Sequence, residues 1–220
     1  MLLRKSIAEL IGTFALVFCG TGAIIIDQQT NGGITHAGIA VTFGLIVMAM
    51  IYAFGNISGA HLNPAVTVAF TFAKKFPVKE MTPYIAAQLA GALLASFTLR
   101  MLFPENILLG TTLPSGSLMQ SFVMELILTF FLMLVILNVA HGSKEQGMFA
   151  GIAIGGIVML EAMFAGPVSG AAMNPARSIG PAIVSGNIQH LWMYIVAPVS
   201  GAVLATGVWN YLKHGQQMNN

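Results

Sequence analysis

The sequence predicts an all-α membrane protein with six transmembrane helices and two re-entrant half-helices in an inverted repeat. Three observations lead there. The 220-residue chain is 56% hydrophobic and only 7% charged, with a mean hydropathy of +0.83. A soluble domain carries roughly 25% charged residues, so this chain could not cover a water-facing surface. Its apolar runs are glycine-rich and bilayer-length, which selects helices over a β-barrel. Finally, a motif occurs twice: residues 57–67 read ISGAHLNPAVT and residues 168–178 read VSGAAMNPARS, half a chain length apart. A lone Asn-Pro-Ala would be a weak signal, but two copies in matching Ser-Gly-Ala contexts are not accidental.

Taken in order, Arg4 and Lys5 precede a first apolar span at 7–26, and an Asn-Gly-Gly loop leads to a second at 36–54. The first motif follows with a short apolar segment at 63–73, ended by Lys74, Lys75 and Lys79. Eleven residues make about 16 Å of helix, half a membrane. A third span at 83–103, a Pro/Gly/Ser/Thr loop at 104–117 and a fourth span at 118–140 come next, and HGSKEQG is read as a turn. A fifth span at 148–165 leads into the second motif and its short helix at 174–184, and a sixth at 190–211 precedes a polar tail. This count gathers Arg4, Lys5, Lys74, Lys75, Lys79, Lys144 and Lys213 on one side. The positive-inside rule makes that side cytoplasmic, with both termini there, and suggests a plasma (inner) membrane.

The repeat extends beyond the motif. ELIGTFAL at 9–16 matches ELILTFFL at 125–132 at six of eight positions, and YIAAQLAGALLA at 84–95 matches YIVAPVSGAVLA at 194–205 at seven of twelve. Each half then holds three spans and one half-helix. An odd span number inverts the second half, so residues 1–220 form a single domain of inverted repeats, about 1–110 and 111–220.

The motif chemistry suits a pore. Irregular backbone at membrane depth persists only where protein buries it or water lines it. Gly59, Ala60 and His61, with Gly170 and Ala172 in the second copy, are expected as extended backbone whose carbonyls face a lumen. Asn63 and Asn174 occupy N-cap positions, and Pro64 and Pro175 take the first helical position, where a missing N–H is harmless. Ala65 and Ala176 let the two helix ends approach closely. Two partially positive ends facing each other repel cations, with the Asn amides left to donate to a neutral guest.

These residues carry a resemblance to the aquaporin, or major intrinsic protein, family over essentially the whole chain. It implies passive conduction of water and small neutral solutes across a lipid bilayer, with ions and protons excluded, in a homotetramer with one pore per subunit. It also implies an outer selectivity filter of Phe43, Ala162, Ala171 and Arg177, of which Ala162 is the placement most exposed to a register slip. Two alanines make that ring wider and less polar than the one in strict water channels of the family. The stretch AGPVSGAAMNPARSIGPA is similar in style to the nodulin-type intrinsic proteins of plants and their bacterial relatives, whose solutes include glycerol, urea and metalloid acids. Phe43 in place of their common Trp leaves the solute open. The family reading of Glu9 and Glu125 is that each accepts backbone N–H groups of a re-entrant loop and braces it. His61 is expected on the cytoplasmic side of the pore, packed or lining it.

Glu161 departs from the family pattern and has no repeat partner; it is expected to brace the second loop, to pair with Arg177, or to reach the lumen. A strictly water-selective channel and an inverted-repeat secondary transporter remain as alternatives. The transporter would need midplane groups that change charge, which Arg177 cannot do. An enzyme is not expected, since Ser58 and Ser169 lack a His/Asp set. No metal or cofactor is expected either: Cys19 is the single cysteine, no metal-ligand spacing appears, and no nucleic-acid footprint exists.

Overall fold

The structure is a computed structural model that describes residues 1–217. Its elements are α1 (Leu2–Gln29), α2 (Thr35–Ser58), α3 (Pro64–Phe72), α4 (Val78–Leu102), α5 (Leu118–Ala140), α6 (Lys144–Met148), α7 (Ala150–Ser169), α8 (Pro175–Ser185) and α9 (Met193–Gln217). Six of them, α1, α2, α4, α5, α7 and α9, are long and apolar enough to cross a bilayer. The nine-residue α3 and eleven-residue α8 are the half-helices. Part of the expected polar tail is the last turns of α9, and residues 218–220 lie outside the described residues.

The helices run longer than hydropathy alone suggests. Pro83 does not open α4 but lies inside its first turns. Five preceding residues are helical, and Glu80 among them binds Lys5 at 2.9 Å. Helices α2 and α7 continue to Ser58 and Ser169, absorbing the first two residues of each motif, and both end on a left-handed glycine, Gly59 and Gly170. The expected turn at HGSKEQG contains α6, opened by a Ser143–Gln146 capping box.

Glycine decides how closely the spans approach. A Cβ at Gly91 of α4 would collide with the Leu10 carbonyl of α1, and one at Gly201 of α9 with the Leu126 carbonyl of α5. Gly91 and Gly201 are equivalent in the repeat, as are Leu10 and Leu126. The pairs α1/α4 and α5/α9 are thus the same packing made twice, with small residues letting backbones touch. The half-helices cross over. Helix α3 packs chiefly on α9 from the other half, and α8 chiefly on α4. Large apolar side chains such as Ile11, Phe97, Phe131 and Phe164 point outward, as a lipid-facing perimeter requires. Glu9, Gln88, Glu125 and Arg177 are buried inside.

Candidate functional site

The two motifs meet in the interior. Asn63 is extended, with φ −155° and ψ 120°, and its Oδ1 accepts from Ala65 N at 2.9 Å to cap α3. Asn174 does the same for α8, accepting from Ala176 N at 3.0 Å and Arg177 N at 3.4 Å. The other end of each carboxamide reaches across. Asn63 Nδ2 donates to Met173 O at 2.8 Å, and Asn174 Nδ2 donates to Leu62 O at 2.8 Å. The amides are therefore less free than expected. Each Asn commits its oxygen to its own helix and one N–H to the opposite loop, leaving one N–H. That commitment fixes the direction of the remaining donor.

The approach segments are not extended. Gly59, Ala60 and Leu62 have φ of 87°, 47° and 53°, and Gly170, Ala171 and Met173 have 85°, 41° and 52°. Left-handed conformations at three of four successive residues make a tighter path than a strand and turn nearby N–H groups toward one acceptor. In the first loop that acceptor is Glu9, which takes Ser58 Oγ at 2.7 Å, His61 N at 2.9 Å, Leu62 N at 2.7 Å and Gln88 Nε2 at 2.8 Å. In the second, Glu125 takes Ser169 Oγ at 2.6 Å, Ala172 N at 2.9 Å and Met173 N at 2.8 Å. Left-handed alanine, leucine and methionine cost on the order of 1 kcal/mol each, and these charge-assisted bonds offset that. Both carboxylates are saturated with donors.

Sequence reasoning missed the second clamp. Tyr84 donates to Ser58 O at 2.8 Å and Tyr194 donates to Ser169 O at 2.7 Å, tying the end of the preceding helix to α4 and α9. The signal was available, because the two tyrosines align in the repeat. Gln88 also bridges Glu9 to Thr67 Oγ1 at 3.0 Å, and its repeat equivalent is Pro198.

A continuous cavity of about 770 Å³ runs past both asparagines, from Arg177 to the 142–148 segment. Gly59, Ala60, His61, Asn63, Ala171, Ala172 and Asn174 line it. Among the described residues, no protein donor meets the carbonyls of Gly59, Ala60, His61, Ala171 or Ala172, so they are left to the lumen. Gly170 does not line the cavity as expected: its left-handed turn packs it against Thr112. Pro64, Ala65, Pro175 and Ala176 are buried behind the asparagines. The unforeseen part of the wall is apolar, with Leu16, Val47, Phe70, Ile154 and Val158 facing the polar line. These residues come from four helices, and no local pattern in the sequence marks them.

Phe43, Ala162, Ala171 and Arg177 all border the cavity at one end. Arg177 is 2% exposed. Its guanidinium carbon lies 5.1 Å from the Phe43 ring centroid, a cation–π distance, and Nη1 donates to Gly110 O at 2.8 Å. Among the described residues no protein acceptor meets Nη2, the nitrogen left for a guest. Gly110, left-handed at φ 67°, belongs to the loop at 103–117, which the sequence marked only as a connection. The same loop ties Thr112 Oγ1 to Ser178 Oγ at 2.9 Å and Ser115 N to Val168 O at 3.0 Å.

Glu161 follows none of its three expected courses. It is 2% exposed, neither carboxylate oxygen has a hydrogen-bond partner among the described residues, and it is not among the cavity residues. His61 is held by Thr67 Oγ1 at 3.1 Å, stacks on Phe70, and meets Phe76 edge-on and Tyr84 at a tilt. Among the described residues, no three His, Cys, Asp or Glu side chains gather as a metal site.

Comparisons with known proteins agree with this architecture. The chain is 50% identical over 210 residues to aquaporin NIP1-1 of Oryza sativa subsp. japonica, covering 95% of this chain and 73% of that protein. It is 45% identical over 213 residues to nodulin-26 of Glycine max, covering 96% and 79% respectively. The X-ray structure of the aquaglyceroporin from Plasmodium falciparum superposes with a TM-score of 0.84 at 30% identity, over 95% of this chain and 96% of that one. The family model described as Major intrinsic protein matches residues 1–209. With that match over almost its full length, six bilayer-length helices and two half-helices capped by facing asparagines, the chain belongs to the major intrinsic protein family of multi-pass membrane channels.

Proposed function

We propose that this channel conducts water and small neutral solutes, glycerol and urea among them, passively down their gradients, and that Phe43, Ala162, Ala171 and Arg177 act as its selectivity filter. One observation carries the reading: Arg177 and Phe43 face each other at 5.1 Å on a cavity whose lining also includes the small side chains of Ala162 and Ala171. A guest larger than water then meets a donor at Arg177, an apolar ring at Phe43 and room beside both. Cation exclusion is assigned to the two helix N-termini that converge at Asn63 and Asn174, together with the fixed charge of Arg177. Glu9 and Glu125 serve as braces, and with every near donor already engaged they are poorly placed to shuttle ions as a coupled transporter would require. The names of the relatives support this reading, since one is an aquaglyceroporin and others are aquaporins of the NIP type.

We read the chain as a single channel domain of two inverted repeats, supported by the matched Gly91/Gly201 packing and the matched Glu and Tyr clamps. The basic side chains Arg4, Lys5, Lys74, Lys75, Lys79, Lys144 and Lys213 support a cytoplasmic location for both termini, and the plasma (inner) membrane is proposed as the site. A homotetramer with one pore per subunit is proposed from the family alone.

The test is stopped-flow light scattering of proteoliposomes with water, glycerol and urea side by side. We expect fast, low-activation-energy water flux with glycerol and urea flux above protein-free vesicles, and Ala162→His should suppress the solutes while sparing water. Water flux without solute flux would leave a strictly water-selective channel. Bare-lipid rates for all three would remove the channel reading.

A further inference from the structure

Phe43 projects from α2 into the outer end of the cavity, but where its ring lies is decided by a residue of α1 that the cavity does not touch. Leu16 of α1 lines the lumen, and Gly20 stands one helical turn further along the same face. A Cβ built on Gly20 would clash with the Phe43 ring, meeting Cε1, Cζ and Cδ1 together, the last at 2.5 Å. The aromatic ring therefore occupies the space of the side chain that Gly20 lacks. The ring also faces the Arg177 guanidinium, whose carbon lies 5.1 Å from its centroid.

The α2 backbone cannot yield to relieve such an overlap. It is pinned from behind by α7, where a Cβ at Gly44 would meet Gly155 O at 2.6 Å and one at Gly155 would meet Gly44 O at 2.6 Å. Any bulk added at position 20 must then displace the ring within the cavity that it shares with Arg177. The other half of the molecule shows the alternative arrangement. The repeat register places Ile136 at the position of Gly20 and Ile154 at that of Phe43, and both isoleucines line the cavity. Where the α1-type position carries a side chain, it fills the wall and no aromatic ring is seated.

We propose that Gly20 is a specificity-determining residue of the channel: by seating the Phe43 ring against α1 it sets the width of the outer constriction, and so the largest neutral guest that passes. The proposal rests on the reading that Phe43 belongs to the filter. Gly20→Ala and the double variant Gly20→Ala/Phe43→Ala, reconstituted at equal density, are compared with the wild type for water, urea and glycerol. One added methyl in a fitted pocket discriminates on the order of tenfold or more. Gly20→Ala should therefore lower glycerol permeability by about tenfold and water permeability by less than about threefold. Removing the ring in the double variant should restore glycerol flux to at least the wild-type rate. Unchanged glycerol flux in Gly20→Ala, or a loss that the double variant does not rescue, would overturn the proposal, the second outcome pointing to disturbed α1/α2 packing. If wild-type protein passes water but neither solute, the solute reading fails while the role of Gly20 is still measured. Water flux should then fall in Gly20→Ala and return in the double variant, and constant water flux would refute it.

Discussion

The two re-entrant loops are built on one plan and differ in a few side chains. Each is an abruptly ended spanning helix, a left-handed turn, a carboxylate that gathers two loop N–H groups and a serine hydroxyl, and an asparagine that caps its own half-helix while donating to the opposite loop. Ile57 against Val168, Leu62 against Met173 and Thr67 against Ser178 are conservative; the differences in polarity or hydrogen bonding are His61 against Ala172, Val66 against Arg177, and Gln88 against Pro198 behind the carboxylate. The shared features are all backbone engineering: they hold irregular chain at membrane depth. The differing ones all change what a guest meets or how the carboxylate is anchored. Architecture is thus duplicated, and the selectivity proposed for this channel lies where the copies diverge.

Breaking the shared plan should have the largest effect. Glu9→Ala strands four donors and Glu125→Ala three. At about 1–3 kcal/mol per buried unpaired group, both should lose several kcal/mol, with Glu9→Ala the worse. Thermal unfolding in detergent measures this, and a milder Glu9→Ala would show that Gln88 contributes nothing to the brace.

Making the second loop resemble the first should come next. Arg177→Val copies Val66 and removes the buried cation near the filter. Proton or cation leak through proteoliposomes should rise about tenfold, as loss of a modest electrostatic barrier implies. Unchanged leak would assign ion exclusion to the two helix ends alone.

Glu161 is an asymmetry with no counterpart in the pore, its repeat equivalent being Met50. A buried carboxyl with no hydrogen-bond partner is destabilising, so Glu161→Met should raise stability by about 1–2 kcal/mol without altering solute selectivity. A loss of stability would mean that Glu161 has partners in the membrane that the isolated chain lacks. The smallest effect is expected at the tyrosine clamps. Tyr84→Phe and Tyr194→Phe each free one serine carbonyl, which is worth about 1 kcal/mol. The two values should agree, and a clear inequality would show that the loops are not held alike.

Much of this was legible before any coordinates. Asn63 and Asn174 could be placed as caps because an Asn-Pro pair has few other uses at the start of a helix. Glu9 and Glu125 could be assigned because a carboxylate inside an apolar span needs donors. Gly170 was misplaced, the loop backbone was read as extended where it is left-handed, and the asparagine amides were read as free where half of each is committed. All three errors concern direction, which motif spelling does not encode. Gly110, Gln88 and Gly20 escaped notice because each acts on a residue distant in the chain.

By itself the sequence determined that the protein crosses the membrane six times, that it is doubled, and that two capped half-helices interrupt it. Those properties follow from local composition and from covalent limits on Asn, Pro and Gly. Only the tertiary structure decided which of the buried surfaces became a lumen. A cavity wall is made of faces from different helices, and its width depends on absences such as the side chain missing at Gly20. Such an absence has meaning only once another residue is known to fill it.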